Sequence, residues 1–263
     1  MKLAPAGLPA HLAKQLLPVY VVSGDEPLLV EEALDAIRAC ARRNGFTERD
    51  VFDVVDRGFD WGRVIEACAS LSLFATRRIV EIRMPKGPNV GRGKAAAEDE
   101  GDDEDAGAGK GSGSLDGTKT LIELAQRPSQ DTLIIAACGP LDYKQRQAQW
   151  YAALENAGAS VHAEAIKPEA WPDWIQARLL AAGMKADADA VRALAERTEG
   201  NALAAKQDIE KLKLLYPDGK VNADAVRDVV ADSARYGAFD LAERMLTGDV
   251  AGAARAVAHL RAE

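Results

Sequence analysis

The chain is predicted to pair a mainly parallel α/β domain with a following part built from helices only, an α/β plus all-α organisation. Three observations predict it. Over the first half, short apolar runs of strand length alternate with segments of helical period. One of those runs, Thr132-Leu-Ile-Ile-Ala-Ala-Cys138, is apolar nearly throughout, as a strand covered on both faces must be. After Val161 the strand signal gives way to Ala-rich segments with helical spacing. The 263 residues suffice for two domains and the start of a third, with a substantial buried core.

The elements follow in order. Val19 to Ser23 reads as a buried strand, and Pro27 to Arg43 as a helix whose Val30, Ala33, Leu34 and Ile37 recur at helical spacing. Val51 to Val55 is a second strand, Trp61 to Ala69 a short helix, Arg78 to Ile82 a third strand and Thr132 to Cys138 a fourth. The α/β domain therefore occupies residues 1–142. Within it, residues 86–118 are rich in Gly, Asp and Glu and almost devoid of large apolar side chains, so burial cannot offset the entropy of ordering them and a disordered insertion is expected.

Residues 143–231 are read as the end of the α/β domain followed by a helical lid. Trp171, Trp174 and Ile175 start one helix, with Pro172 in its first turn. Asp187 can cap the next, which carries Val191, Leu194 and Ala195 and stops at Gly200. A third presents Ala205, Ile209, Leu212 and Tyr216, and Asn222 can cap a fourth bearing Val226, Val229 and Val230. Residues 232–263, with Phe239, Ala242, Met245 and Leu246 before a Gly248-Asp249 turn, read as the beginning of a further helical domain that is incomplete.

Composition narrows the function. Apolar and charged shares of 48% and 28% are ordinary for a globular protein. Of the net charge of −8, the stretch 86–120, with five basic and eight acidic residues, supplies part, and the remainder is still mildly acidic. This excludes the global basic footprint of a dedicated nucleic-acid binder. Cys40, Cys68 and Cys138 are odd in number and widely spaced, which argues for reduced thiols and against a disulfide framework. His11, His162 and His259 lack ligand spacing, so no metal is expected. No apolar run reaches membrane-spanning length and the start is not of signal-peptide type, so a cytoplasmic placement is expected.

The most informative feature lies between the first strand and the first long helix. A phosphate-binding loop there needs several glycines, a lysine for the β/γ-phosphates and a Ser or Thr for magnesium. Gly24-Asp25-Glu26-Pro27 offers one glycine and no lysine, and Asp25, Glu26, Glu31 and Glu32 counter the positive end of the helix dipole. The scaffold reads as a nucleotide-binding one whose site is degenerate. An active P-loop ATPase or nucleotide kinase with an unusual phosphate loop is the competing reading, opposed by the missing lysine and by the lack of an Asp-Glu pair after the third or fourth strand.

Four stretches, Tyr20-Val-Val-Ser-Gly-Asp-Glu-Pro-Leu-Leu-Val-Glu-Glu-Ala33, Ser70-Leu-Ser-Leu-Phe-Ala-Thr-Arg-Arg78, Glu199-Gly-Asn-Ala-Leu-Ala-Ala-Lys-Gln-Asp-Ile-Glu-Lys-Leu212 and Asp232-Ser-Ala-Arg-Tyr-Gly-Ala-Phe-Asp240, occur together in an order and separation that resemble the delta-subunit family of bacterial DNA polymerase III. The resemblance covers nearly the whole chain; the acidic insertion and the early end in the third region depart from it. It implies an AAA+-like fold that does not hydrolyse ATP, a helical lid, the start of a helical collar, and a tip that binds the sliding clamp. It also implies a role as a clamp-loader subunit in chromosomal replication, without cofactor or catalysis of its own, inside a DNA-directed DNA polymerase complex of nucleotidyltransferase class. Its partners would be the sliding clamp (beta subunit), the ATP-hydrolysing and other loader subunits, and primer-template DNA.

The family's clamp contact maps onto Leu73 and Phe74, with Ser70 and Leu71 beside them. The residues themselves agree in part, because bulky apolar side chains at a helix-to-strand corner can form an exposed interaction cluster; the competing reading makes Leu73 and Phe74 core residues of that corner. Thr76, Arg77 and Arg78 would hold the orientation. Arg77, Arg78, Lys144 and Arg146 are candidates for contact with DNA phosphates or a partner, against the alternative of solvated or internally paired charges. A scaffold of the same fold without clamp affinity is a third reading of function.

Overall fold

The computed structural model describes residues 1–56, 58–69, 77–88, 116–229 and 238–261, and the chain divides into two compact units, Met1–Ala165 and Ile166–Glu263. The first unit contains β1 (Lys2–Leu3), α1 (Leu8–Leu12), β2 (Val19–Gly24), α2 (Pro27–Arg43), β3 (Glu48–Asp53), α3 (Gly62–Ala69), β4 (Arg78–Met84), α4 (Gly117–Gln126), β5 (Thr132–Cys138), α5 (Tyr143–Arg146), α6 (Gln149–Ala157) and β6 (Ala159–Ala163). Its strands form one sheet in the order β1-β6-β2-β5-β4-β3. Every neighbouring pair is parallel.

Parallel pairing needs crossover connections, and the crossovers cover both faces. Successive residues of a strand point to opposite faces, so each run feeds two cores. On one side Tyr20, Val22, Ile79, Leu133 and Ile135 meet Ala33, Leu34 and Ile37 of α2 and Leu8 and Leu12 of α1. On the other, Val21, Val80, Ile82, Ile134 and Ala136 meet Trp61, Val64, Leu121, Trp150 and Leu154. The bounds of α2 and β5 agree with the sequence reading.

Other bounds move. The second strand spans Glu48–Asp53 instead of Val51 to Val55: it is a sheet edge whose residues alternate between half-buried and exposed, and charged residues stand on both faces, so it lacks the apolar signal of a central strand. β6 joins the sheet after Gly158, where a Cβ would collide with the Val19 carbonyl. Most of the predicted insertion lies outside the described residues, but α4 begins within its last positions. Asp116 caps that helix by accepting from the Thr118 amide at 2.9 Å, and Gly117 is packed so closely on the Trp61 ring that a side chain would strike it.

The second unit holds α7 (Trp171–Ala181), β7 (Lys185–Ala186), α8 (Ala188–Thr198), α9 (Ala202–Leu215), β8 (Lys220–Val221), α10 (Ala223–Val229), α11 (Ala238–Thr247) and α12 (Val250–Leu260). Asp187, Asn201 and Asn222 cap α8, α9 and α10 through their side chains. Gly200 adopts φ 74° directly after α8, the left-handed stop that glycine permits. The two-residue strands β7 and β8 pair in parallel inside a region read as purely helical; strands that short leave no period in the sequence. Trp171 is a core residue whose indole N–H donates to the Ala195 carbonyl at 3.1 Å. In the α11–α12 pair, Leu241 packs on the buried Ala256, while Met245 and Leu246, expected on the apolar face, are 68% and 89% exposed.

Candidate functional site

Two places on the α/β unit bear on function: the β2–α2 turn at the carboxyl end of the sheet, and the α3–β4 corner at its amino end. In open parallel sheets, ligands bind beyond the carboxyl ends of the strands. The β2–α2 turn occupies such a position.

The turn is closed by the chain itself. The backbone N–H of Asp25 donates to the Ala163 carbonyl at 2.9 Å and that of Glu26 to the same oxygen at 3.3 Å. Gly24 is pressed so tightly on Ala163 that any Cβ would overlap its backbone. Glu26 is the N-cap of α2 and its carboxylate accepts from the Leu28 amide at 3.2 Å. Amides that would converge on a phosphate in a working loop are thus satisfied by a carbonyl of β6 and by a carboxylate. Asp25 and Pro27 are exposed beside them.

The sequence reading missed what holds α2 in place. Arg38, 7% exposed, lies over β4 and donates from Nε and Nη2 to both oxygens of Glu81, which is wholly buried, at 3.0 and 2.8 Å. Its Nη1 donates to Glu31 and Asp35 at 2.6 and 2.8 Å. Arg49 and Arg83 also donate to Glu81, at 3.0 and 2.9 Å. Burial alone would raise the Glu81 carboxyl, but hydrogen bonds from Arg38 and Arg83 and the charges of Arg38 and Arg49 hold it below its ordinary value of 4.5. Burial would lower the Arg38 guanidinium, and its three carboxylate partners raise it instead. A signal was present: Arg38 follows Leu34 and Ile37 in the apolar stripe of α2, and Glu81 interrupts the apolar run of β4.

At the other end, Ser70, Leu71, Leu73, Phe74 and Thr76 lie outside the described residues, but the elements on either side are defined. Before them, Val64 of α3 and the preceding Trp61 are 0% and 4% exposed in the core. After them, the Arg78 guanidinium, 13% exposed, reaches Glu48 at 3.3 Å and Asp50 at 3.5 Å. It also donates to the Ala67 carbonyl in the last turn of α3 at 3.0 Å. One side chain therefore ties the helix entering the 70–76 segment to the strand leaving it. Arg77 donates to the Asn44 carbonyl at 2.9 Å, lies 3.5 Å from Asp131 and covers the Phe46 ring at 5.6 Å. Both arginines are engaged within the unit.

Lys144 and Arg146 lie on α5, beyond the carboxyl end of β5 and away from Arg77 and Arg78; Lys144 is exposed and Arg146 half-buried. Burial pushes the Cys68 thiol up to about 11 and the Cys138 thiol up to about 12, so neither is a nucleophile near neutral pH. Among the described residues no group of His, Cys, Asp or Glu is placed to hold a metal ion, and no helix is long and apolar enough to cross a membrane.

The family model described as DNA polymerase III, delta subunit, matches residues 20–99. DNA polymerase III subunit delta of Escherichia coli (strain K12) is 30% identical over 264 residues, covering all of this chain and 69% of that protein. The Haemophilus influenzae subunit of the same name is 29% identical over 265 residues, covering all of this chain and 70% of that one. Among solved structures, the Bacillus subtilis DNA clamp loader delta protein superposes with a TM-score of 0.60 at 18% identity, over 97% of this chain and 71% of that one. The α/β unit has the AAA+-like fold expected from the sequence.

Proposed function

Because the chain belongs to the family of DNA polymerase III delta subunits, we propose that it is a clamp-loader subunit that binds the ring-shaped sliding clamp and opens it for loading on DNA. In this reading Leu73 and Phe74 fill a pocket on the clamp, with Ser70 and Leu71 beside them. Arg78 and Arg77 are positioning residues that fix the base of the contact.

The observation that carries the reading is the Arg78 bridge from the start of β4 to the Ala67 carbonyl, which brings the two ends of the 70–76 segment onto one rigid base. To open a ring, a subunit must bind the open form better than the closed one. A contact held on a braced corner can transmit such a preference, whereas a loose tether cannot. The closed β2–α2 turn supports the second half of the proposal, that the chain binds no nucleotide and works beside ATP-hydrolysing subunits, with primer-template DNA in the assembled loader and in the cytoplasm.

Burying a Leu and a Phe contributes about 1.5–3 kcal/mol each. Replacing both by Ala should therefore weaken clamp binding by roughly two to four powers of ten. The test is an equilibrium titration of the sliding clamp with this chain and with Leu73→Ala/Phe74→Ala. Equal affinities for the two would overturn the assignment of the contact, and no binding by either would leave a scaffold without clamp affinity.

A further inference from the structure

A pocket of about 300 Å³ opens beside the edge of the sheet, lined by residues of β1, β6, α5 and α6 that include Lys2, Tyr143, Arg146, Tyr151, Glu155 and His162. Its polar groups are unevenly satisfied. Glu155 accepts from the Ser160 hydroxyl at 2.9 Å. Ser23 Oγ is 3.3 Å from Nδ1 of His162. The cationic side has no such partners. The Nε–H of Arg146 is buried without an acceptor, and among the described residues neither its guanidinium nor the Lys2 ammonium is engaged in an ion pair.

A buried guanidinium N–H without an acceptor is uncommon and costly, and a missing ion is one of its standard explanations. Here the lining sets two permanent cations and an imidazole against a single carboxylate that Ser160 already holds. We propose that this pocket binds a phosphate group, with Arg146 as a directional donor, Lys2 as a point charge and the His162 ring as a third donor. Arg and Lys divide these roles in phosphate recognition generally. Tyr143 stands at the rim, 72% exposed, and an exposed aromatic face beside a cationic cleft accepts a stacked base. That favours a phosphate carried by a nucleic-acid strand over free phosphate. The inference rests on the clamp-loader reading for its biological setting, while the pocket and its chemistry stand apart from the 70–76 segment.

The experiment is an NMR titration of the full chain at low salt, following the ring signals of His162 with those of His11 as control. One arm adds inorganic phosphate and the other a short single-stranded DNA oligonucleotide. The expected result is a saturable shift of His162 alone with the oligonucleotide, and for Arg146→Gln a log–log salt slope of binding reduced by about one. A His162 shift with inorganic phosphate and none with DNA keeps the site and assigns it to a free phosphate. No shift in either arm, or an unchanged salt slope in an Arg146→Gln variant with wild-type thermal stability, overturns the proposal. The clamp is absent from the assay, so its outcome is independent of the Leu73/Phe74 titration.

Discussion

The carboxyl and amino ends of one parallel sheet are finished in opposite ways. At the carboxyl end of β2 the chain satisfies its own backbone: Ala163 takes the amides of Asp25 and Glu26, and the Glu26 carboxylate caps α2. At the amino end of β4 it builds a brace, with Arg78 spanning α3, β3 and β4 around a segment that carries a Leu and a Phe. In a nucleotide-binding sheet the first end does the work. On the proposed reading the working surface of this chain is the other end, and Arg38 with Glu81 links the two, because α2 starts at the closed turn and β4 starts at the braced corner.

Cutting that link should have the largest effect on stability. Glu81→Ala leaves Arg38 buried without its main partner, and removing one member of a buried pair costs about 3–5 kcal/mol; urea unfolding should show a loss of that size. The pH dependence sharpens the point. The folded-state pKa of Glu81 lies below its unfolded value, so the stability it contributes is fully present above about 4.5 and is lost as pH falls through the folded pKa. The gap in urea midpoint between wild type and Glu81→Gln should therefore be widest near neutral pH and narrow below pH 4.5. A gap that widened on acidification would show that Glu81 is not held ionised.

Smaller losses should come from the turn. Gly24→Ala forces a Cβ onto the Ala163 backbone, and strain of this kind costs on the order of 1–3 kcal/mol; a lower melting temperature with no gain of nucleotide binding is the expected result. Glu26→Ala removes the cap of α2 and should cost about 1 kcal/mol by the same assay. A variant of either kind that began to bind ATP would mean that the closure, and not the missing lysine, is what excludes nucleotide.

Legibility in the sequence followed burial. β2 and β5 are covered on both faces, so their apolar runs were plain, and α2 was bounded by Pro27 and the change after Arg43. β3 was misplaced because this edge strand carries charges on both faces, with Glu48 and Asp50 half-buried against Arg78 while Arg49 and Asp53 are exposed, which breaks the apolar signal. β6 is short, with Ser160 and His162 among its five residues, and Gly158 is what lets the chain approach Val19 at its start. The lack of a lysine and of further glycines in the β2–α2 turn was readable from its composition, whereas its closure by Ala163 was not, because that carbonyl is contributed by a strand far along the chain. The Arg38–Glu81 network was invisible for the same reason. The assignment of Leu73 and Phe74 rests on the family pattern and remains a proposal, since spacing alone is equally compatible with a core corner and both lie outside the described residues.

The measurement that reaches the centre of this account is amide hydrogen exchange of the whole chain, alone, with the sliding clamp and with ATP-magnesium. The account predicts that the clamp slows exchange in residues 70–76 while leaving the turn at residues 24–28 unchanged, and that ATP slows neither. Protection of the turn by ATP, or clamp binding that leaves 70–76 exchanging as in the free chain, would contradict it.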